Sequence, residues 1–86
     1  MPPVSEFYGI SIYLYYRDHA PPHFHAIYGE FEAEVDIATA RVVAGDLPRR
    51  ATALVEDWAR QYRAELERNW ELARNSQPLE RVDPLV

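Results

Sequence analysis

Hydrophobic and polar residues alternate along the first half of the chain, which is the pattern of half-buried β-strands. The first such stretch, residues 7–16, carries an aliphatic row at every second position: Ile10, Ile12 and Leu14. We expect this row to lie in the core. The second stretch, residues 23–37, alternates on both sides of a glycine, and a short apolar run follows over residues 41–44. The pattern therefore predicts a small antiparallel meander of three to four strands over about residues 7–45.

Residues 23–37 predict a β-hairpin with a two-residue turn. Gly29 suits the first central position of a type II′ turn, with Glu30 in the second position. This turn places Tyr28 opposite Phe31 and thereby fixes all later pairs. A slip of one residue would bury carboxylates and expose aromatic side chains, so the pattern favours this register or one shifted by two residues.

The predicted register separates an apolar face from a polar face. The apolar face is expected to join the core through three residues: Phe24, Phe31 and Val35. On the polar face, His23 lies opposite Asp36. Two residues further along the strand, His25 lies opposite Glu34. The hairpin therefore places two imidazoles beside two carboxylates.

Helical periodicity replaces the alternation in the second half of the chain. Pro48 suits the first turn of a helix, and neither glycine nor proline follows until Pro78. Apolar residues recur at helical spacing, and the first three of them are expected in the core: Leu54, Trp58, Tyr62, Leu66 and Trp70. We expect one long or bent helix over about residues 48–75 and an extended tail over residues 76–86.

The predicted helix is longer than the sheet that it covers. A continuous helix of this length spans roughly 42 Å, whereas an eight-residue strand spans about 27 Å. The helix must therefore overhang the sheet, bend, or split near Gln61 to Ala64. An overhanging stripe with Leu66 and Trp70 predicts an interface with a protein partner or with a second copy of the chain.

The composition describes a single small α+β domain with restricted chemistry. Its 86 residues are too few for two hydrophobic cores, so residues 1–86 are expected to form one domain. The absence of cysteine excludes disulfides and thiol chemistry and leaves histidine and carboxylates as metal ligands. No stretch approaches the ~20 apolar residues of a membrane-spanning helix. Because the N-terminus also has no signal-peptide pattern, we expect a cytoplasmic protein without a membrane partner.

The net charge of −5 is confined to the first half of the chain. Residues 1–48 contain two arginines and seven acidic residues, whereas residues 49–86 contain seven of each. A protein that binds nucleic acid nonspecifically usually presents a broad basic face. The charge distribution therefore argues against such binding.

All three histidines fall within residues 19–25. Alternate residues of a strand point to the same face about 7 Å apart, a spacing at which His23 and His25 can share a metal ion. The full set of predicted ligands for a Zn²⁺, Mn²⁺ or Fe²⁺ ion is His19, His23, His25, Glu34 and Asp36. Two other interpretations stay open. His23 or His25 can transfer protons in catalysis without a metal, or the imidazoles simply bond to nearby carboxylates and carbonyls.

Arg49 and Arg50 form a candidate anion site. They lie in the predicted first helical turn, where positive charge opposes the helix dipole. This local cost indicates a tertiary role. The two arginines either pair with the acidic sheet or bind a phosphate near the free amides of the helix start.

A set of short motifs runs along nearly the whole chain: Phe7-Tyr8-Gly9-Ile10, Asp18-His19, Pro21-Pro22-His23-Phe24-His25, Tyr28-Gly29, Leu47-Pro48-Arg49-Arg50, Trp58 and Asn69-Trp70-Glu71-Leu72-Ala73. Together they resemble the bacterial domain of unknown function 4160 family. The resemblance implies neither an activity nor a set of catalytic residues. It does imply a genetic setting, because similar proteins are often encoded beside another small protein in an arrangement like a toxin–antitoxin pair.

Two functional hypotheses follow from the sequence. The preferred one is a small noncatalytic binding module that associates with a protein partner or with itself, as one component of a toxin–antitoxin-like pair. The alternative is a small histidine-dependent hydrolase, possible with or without a divalent metal and similar to an RNase toxin. In that alternative, His23 and His25 act with Glu34 or Asp36, and Arg49 or Arg50 binds the phosphate of the substrate.

Overall fold

A computed structural model describes all residues of the chain, 1–86. Five strands and two helices follow one another in the order β1 Ser5–Phe7, β2 Ile10–Tyr13, β3 His23–Tyr28, β4 Phe31–Asp36, β5 Arg41–Gly45, α1 Arg49–Gln61 and α2 Arg63–Arg74. The strands form one antiparallel sheet in which each strand pairs with its neighbours in the chain. The predicted α+β class and meander are therefore confirmed.

The sheet has five strands rather than three to four, because the predicted first strand is interrupted by a tight turn. Tyr8 and Gly9 both have positive φ, of 50° and 81°, as the central residues of a type I′ turn require. Phe7 pairs with Ile10 across this turn. Because an aromatic residue rarely adopts positive φ, nothing in the sequence indicated a turn at Tyr8. The apolar alternation therefore predicted one continuous strand.

The predicted register of the central hairpin is confirmed along its whole length. Gly29 has a φ of 58° and begins the turn, and Glu30 does not share the left-handed region, in agreement with a type II′ turn. Tyr28 pairs with Phe31. At the other end of the hairpin His23 pairs with Asp36.

The expected single helix is divided into α1 and α2 at Tyr62, within the segment where a split was one of the alternatives. Tyr62 has φ of −113° and ψ of 28°, outside the helical region. A straight helix over residues 48–75 would be roughly 42 Å long, whereas the longest extent of the molecule is 33 Å. The break therefore keeps the second helix within the molecule.

The predicted interface residues are buried inside the chain, so that prediction is wrong. Leu66 is 0% exposed and Trp70 is 6% exposed, and both belong to the main hydrophobic core. The expectation assumed a helix that overhangs the sheet. Because the helix breaks at Tyr62, these side chains turn inward instead.

Most of the predicted core is confirmed. The fully buried members of the predicted set are Ile10, Ile12, Leu14, Phe24, Val35 and Trp58. Leu54 and Tyr62 are half-buried and pack against this core. Phe31 is 38% exposed, so its placement in the core is wrong. Its cross-strand partner Tyr28 is equally exposed, so the side chains at the turn end of the hairpin lie at the surface.

The predicted extended tail packs against the helices and the N-terminal segment. Asn69 accepts a hydrogen bond from the backbone N–H of Glu80 at 2.8 Å and donates one to its carbonyl at 3.0 Å. Trp58 Nε1 donates to the carbonyl of Asp83 at 2.8 Å. Val82 is buried in the core. The tail is therefore part of the folded domain.

Neither helix combines the length and the apolar character needed to cross a membrane.

Candidate functional site

The candidate site lies where the loop between β2 and β3 folds over the start of β3, next to Trp70 of α2. Phe24 points toward the helices and meets the ring of Trp58 at 5.6 Å between centroids. Its neighbours His23 and His25 therefore point to the opposite face. Asp18 in the loop places its Oδ2 atom 3.0 Å from Nε2 of His23 and 3.2 Å from Nε2 of His25.

His23 is the most enclosed titratable group of this cluster, with 3% of its surface exposed. Its Nδ1 atom lies 2.8 Å from the carbonyl oxygen of Pro21. A carbonyl only accepts hydrogen bonds, so Nδ1 carries a proton. In a neutral ring, Nε2 then carries the lone pair. The indole of Trp70 packs 5.4 Å from the imidazole ring and closes this side of the site.

The Nε2 atom of His23 is buried and has no hydrogen-bond partner. It faces two carboxylates, with Oδ2 of Asp18 at 3.0 Å and Oε1 of Glu34 at 3.5 Å. A lone pair that faces two anionic acceptors is unfavourable unless a cation lies between them. The arrangement therefore calls for a positive charge at this point, either a proton or a metal ion.

The two nitrogens of His25 are arranged the other way round. Its Nε2 atom forms a hydrogen bond with Oδ2 of Asp18 at 3.2 Å, while Nδ1 is buried without a hydrogen-bond partner and lies 3.3 Å from Oε2 of Glu32. Tyr15 packs over the imidazole with ring centroids 4.5 Å apart. Burial, followed by the charge of Glu32, raises the pKa of the Tyr15 hydroxyl above its ordinary value. The Tyr15 side chain that packs on His25 is therefore uncharged at physiological pH.

Asp18 is the anionic centre of the cluster. Partial burial alone would raise its pKa, but the hydrogen bond from His25, the backbone N–H of His19 and the charges of nearby histidines outweigh that effect. The net result is a pKa of Asp18 below its ordinary value. The carboxylate is therefore ionised at neutral pH and can act as a metal ligand.

Two groups of three side chains bring their ligand atoms within 4.8 Å of one another: Asp18, His23 and His25, and His19, His23 and Glu34. Four of the five predicted ligands are thus in the cluster. Asp36 is not, because its Oδ2 atom accepts hydrogen bonds from the backbone and hydroxyl of Thr39, both at 2.9 Å. The cross-strand pairing with His23 was right, but the carboxylate turns away toward the next turn of the chain.

Asp18 is a site residue that the sequence analysis missed. It lies in a loop, where no periodicity indicates which way a side chain points. Its position directly before His19 was the available signal. His19 itself is peripheral, because 76% of its side chain is exposed and its Nδ1 atom lies 3.0 Å from Oδ1 of Asp18.

The predicted anion site is separate from the histidines. Arg49 and Arg50 are exposed in the first turn of α1, and neither forms an ion pair with the acidic sheet. Arg50 lines a surface cavity of about 120 Å³ with Tyr8 and Tyr28. Because Tyr28 ends β3 and His23 begins it, the arginines lie toward the other end of the hairpin. They are not placed to bind a phosphate at the histidine cluster.

The comparison with protein families agrees with the motif resemblance. The model described as Domain of unknown function (DUF4160) matches residues 9–71. The chain belongs to the DUF4160 family. The DUF4160 segment includes Asp18 and the whole β3–β4 hairpin, and therefore the complete candidate site. No curated protein and no solved structure matches the chain. The chemistry of the site consequently rests on its own geometry.

Proposed function

We propose that this protein is a small divalent-metal-binding domain in which Asp18, His23 and His25 hold the ion. The observation that supports this function best is the buried Nε2 atom of His23, which has no hydrogen-bond donor and faces carboxylates. The carbonyl of Pro21 keeps the ring proton on Nδ1. A backbone carbonyl on the other nitrogen is the usual support of a metal-binding histidine.

The spacing of the three ligand atoms fits a first-row divalent ion. Bonds from zinc to histidine nitrogen and carboxylate oxygen are about 2.0–2.2 Å long, so neighbouring ligands of a tetrahedral ion are roughly 3.3 Å apart. The Asp18 oxygen lies 3.0 Å and 3.2 Å from the two imidazole nitrogens. An ion can therefore enter after small shifts of the side chains. The mixed nitrogen and oxygen donors suit zinc, manganese and iron.

The metal-binding proposal agrees only in part with the two hypotheses from the sequence. A hydrolase acting on phosphodiesters loses support, because Arg49 and Arg50 are remote from the histidines. The partner-binding role and the toxin–antitoxin-like pairing stay predictions. Any partner surface lies elsewhere than Leu66 and Trp70, since both are buried.

Zinc titration of the purified protein, stripped of metal with a chelator, tests this function by calorimetry. We expect the wild type to bind zinc and His23→Ala to bind at least about 100-fold more weakly, because a central ligand is lost. Asp18→Asn keeps the size of the side chain but removes its charge, and it should also weaken binding. Circular dichroism establishes that each variant is folded.

Asp36→Asn is the matched control for Asp18→Asn, because it makes the same change at a carboxylate that Thr39 holds away from the histidines. We expect its zinc affinity to stay within a few-fold of the wild type. A folded His23→Ala protein that binds zinc as tightly as Asp36→Asn would refute the proposed function.

A further inference from the structure

We propose that Glu34 is a fourth protein ligand and that the site is a closed, tetrahedral zinc site rather than a hydrolytic centre. This inference rests on the proposed metal-binding function and adds a residue, a metal and a role to it. The ion would join three segments of the chain, namely the loop with Asp18, strand β3 and strand β4. The role of such an ion is to hold these segments together.

The position of Glu34 is fixed by the confirmed register of the hairpin. Glu34 pairs with His25 across β3 and β4, and directly opposed side chains of antiparallel strands lie on the same face. Its Oε1 atom lies 3.5 Å from Nε2 of His23. The sheet therefore holds this carboxylate beside the nitrogen that lacks a partner.

Glu34 also has no competing role in the structure. Its side chain forms no hydrogen bond, and its one ionic contact is with His23. Asp36, two residues along the same strand, is by contrast engaged by Thr39. A carboxylate that is 35% exposed and still points to a buried imidazole is placed for coordination.

The two groups of potential ligands share one residue, His23. One group adds Asp18 and His25, and the other adds His19 and Glu34. Nε2 of His23 lies 3.0 Å from Asp18 and 3.5 Å from Glu34, so an ion bound to this nitrogen lies close to both carboxylates. Two imidazoles and two carboxylates complete a four-ligand shell with no net charge once a divalent ion is bound.

A four-ligand shell of nitrogen and oxygen favours zinc over magnesium or calcium, which require six or more oxygen ligands. Structural zinc sites have four protein ligands, whereas catalytic sites keep one position open for water. His23 is buried by Trp70, and Tyr15 packs on His25. The enclosure on these sides agrees with a closed site.

The outer contact of His23 is that of a zinc ligand. Its Nδ1 atom donates to the carbonyl of Pro21, which directs the Nε2 lone pair toward Asp18 and Glu34. Nε2 of His25 forms a hydrogen bond with Asp18, and its Nδ1 atom lies 3.3 Å from Glu32 without a hydrogen bond. Metal binding at Nε2 of His25 would therefore move the ring proton to Nδ1, beside the carboxylate of Glu32. Glu32 is thus a positioning residue, and Glu34 is the ligand.

Cobalt substitution and zinc titration of Glu34→Gln test the inference. Tetrahedral Co²⁺ absorbs visible light much more strongly than five- or six-coordinate Co²⁺. We expect an intense visible spectrum from the wild type and a weaker one from the variant. Loss of a group that only hydrogen-bonds to a metal ligand costs roughly 10–100-fold in metal affinity. The zinc affinity of Glu34→Gln should fall by more than this, because a direct ligand is lost.

Glu30→Gln is the matched control, because it removes the same charge from the exposed turn of the same hairpin. Its affinity and cobalt spectrum should match the wild type. If Glu34→Gln behaves like Glu30→Gln while the wild type binds zinc, the fourth ligand is refuted and the metal-binding function stands. If the wild type binds no zinc, the metal-binding function fails, and the closed site fails with it.

Discussion

His23 is the most enclosed of the three histidines, with 4% of its side chain exposed against 12% for His25 and 76% for His19. One ring nitrogen of His23 is occupied by the carbonyl of Pro21, and the other faces carboxylates without a donor. His19 is exposed, and its one ionic contact is with Oδ1 of Asp18. Similar residues close together in the sequence therefore have different chemistry, and burial makes the difference.

At the residue scale, Glu32→Gln tests how His25 is oriented. Glu32 faces Nδ1 of His25 at 3.3 Å without a hydrogen bond, so its loss removes the negative charge that favours a proton on that nitrogen when Nε2 binds a metal ion. We expect the zinc affinity measured by calorimetry to fall about 10–100-fold, less than for Glu34→Gln. An affinity equal to that of Glu30→Gln would show that Glu32 does not position the imidazole.

The elements of the sheet were more predictable than its connections. The row of Ile10, Ile12 and Leu14 and the pairing around Gly29 follow from strict alternation, and the structure confirms both. The turn at Tyr8 was missed because an aromatic residue indicates a strand by composition. Element type was readable from periodicity, whereas this irregular turn was not.

At the element scale, Asn69 joins α2 to the tail. Its amide bonds both backbone groups of Glu80, and its side chain is buried. Asn69→Ala leaves these groups unpaired, and each one costs about 1–3 kcal/mol when it stays buried. We expect the free energy of unfolding in a urea titration to fall by about 2–4 kcal/mol.

Arg68→Ala is the comparison for this measurement. It removes a surface ion pair with the side chain of the same Glu80, and exposed pairs contribute little to stability. We expect only a small change in the urea midpoint. Equal losses for the two variants would mean that the buried amide is not what fixes the tail.

At the scale of the whole molecule, the candidate site depends on how a loop folds, and the core depends on where a helix breaks. Asp18 reaches the histidines from the loop before β3, and the burial of Leu66 and Trp70 follows from the break at Tyr62. Neither arrangement follows from hydrophobic periodicity, and the one signal for Asp18 was its position directly before the first histidine. The imidazole pair and Glu34 could be placed from the sequence because one hairpin carries all three.

The burial of Leu66 predicts a stability effect where the sequence had indicated an interface. Leu66→Ala removes a fully buried side chain from the core, and such changes cost about 2–5 kcal/mol. We expect a lower urea midpoint and an unchanged sedimentation coefficient for the folded protein. A folded variant with wild-type stability and altered self-association would restore the interface interpretation.

The most direct test of the metal site is a crystal structure of the zinc-loaded protein with data collected at the zinc absorption edge. The account predicts an anomalous peak about 2.0–2.2 Å from Nε2 of His23, Nε2 of His25 and an oxygen of Asp18. Glu34 should provide the fourth bond. A zinc-loaded crystal with no anomalous peak at His23, and with Nε2 in a simple hydrogen bond to Asp18, would contradict it.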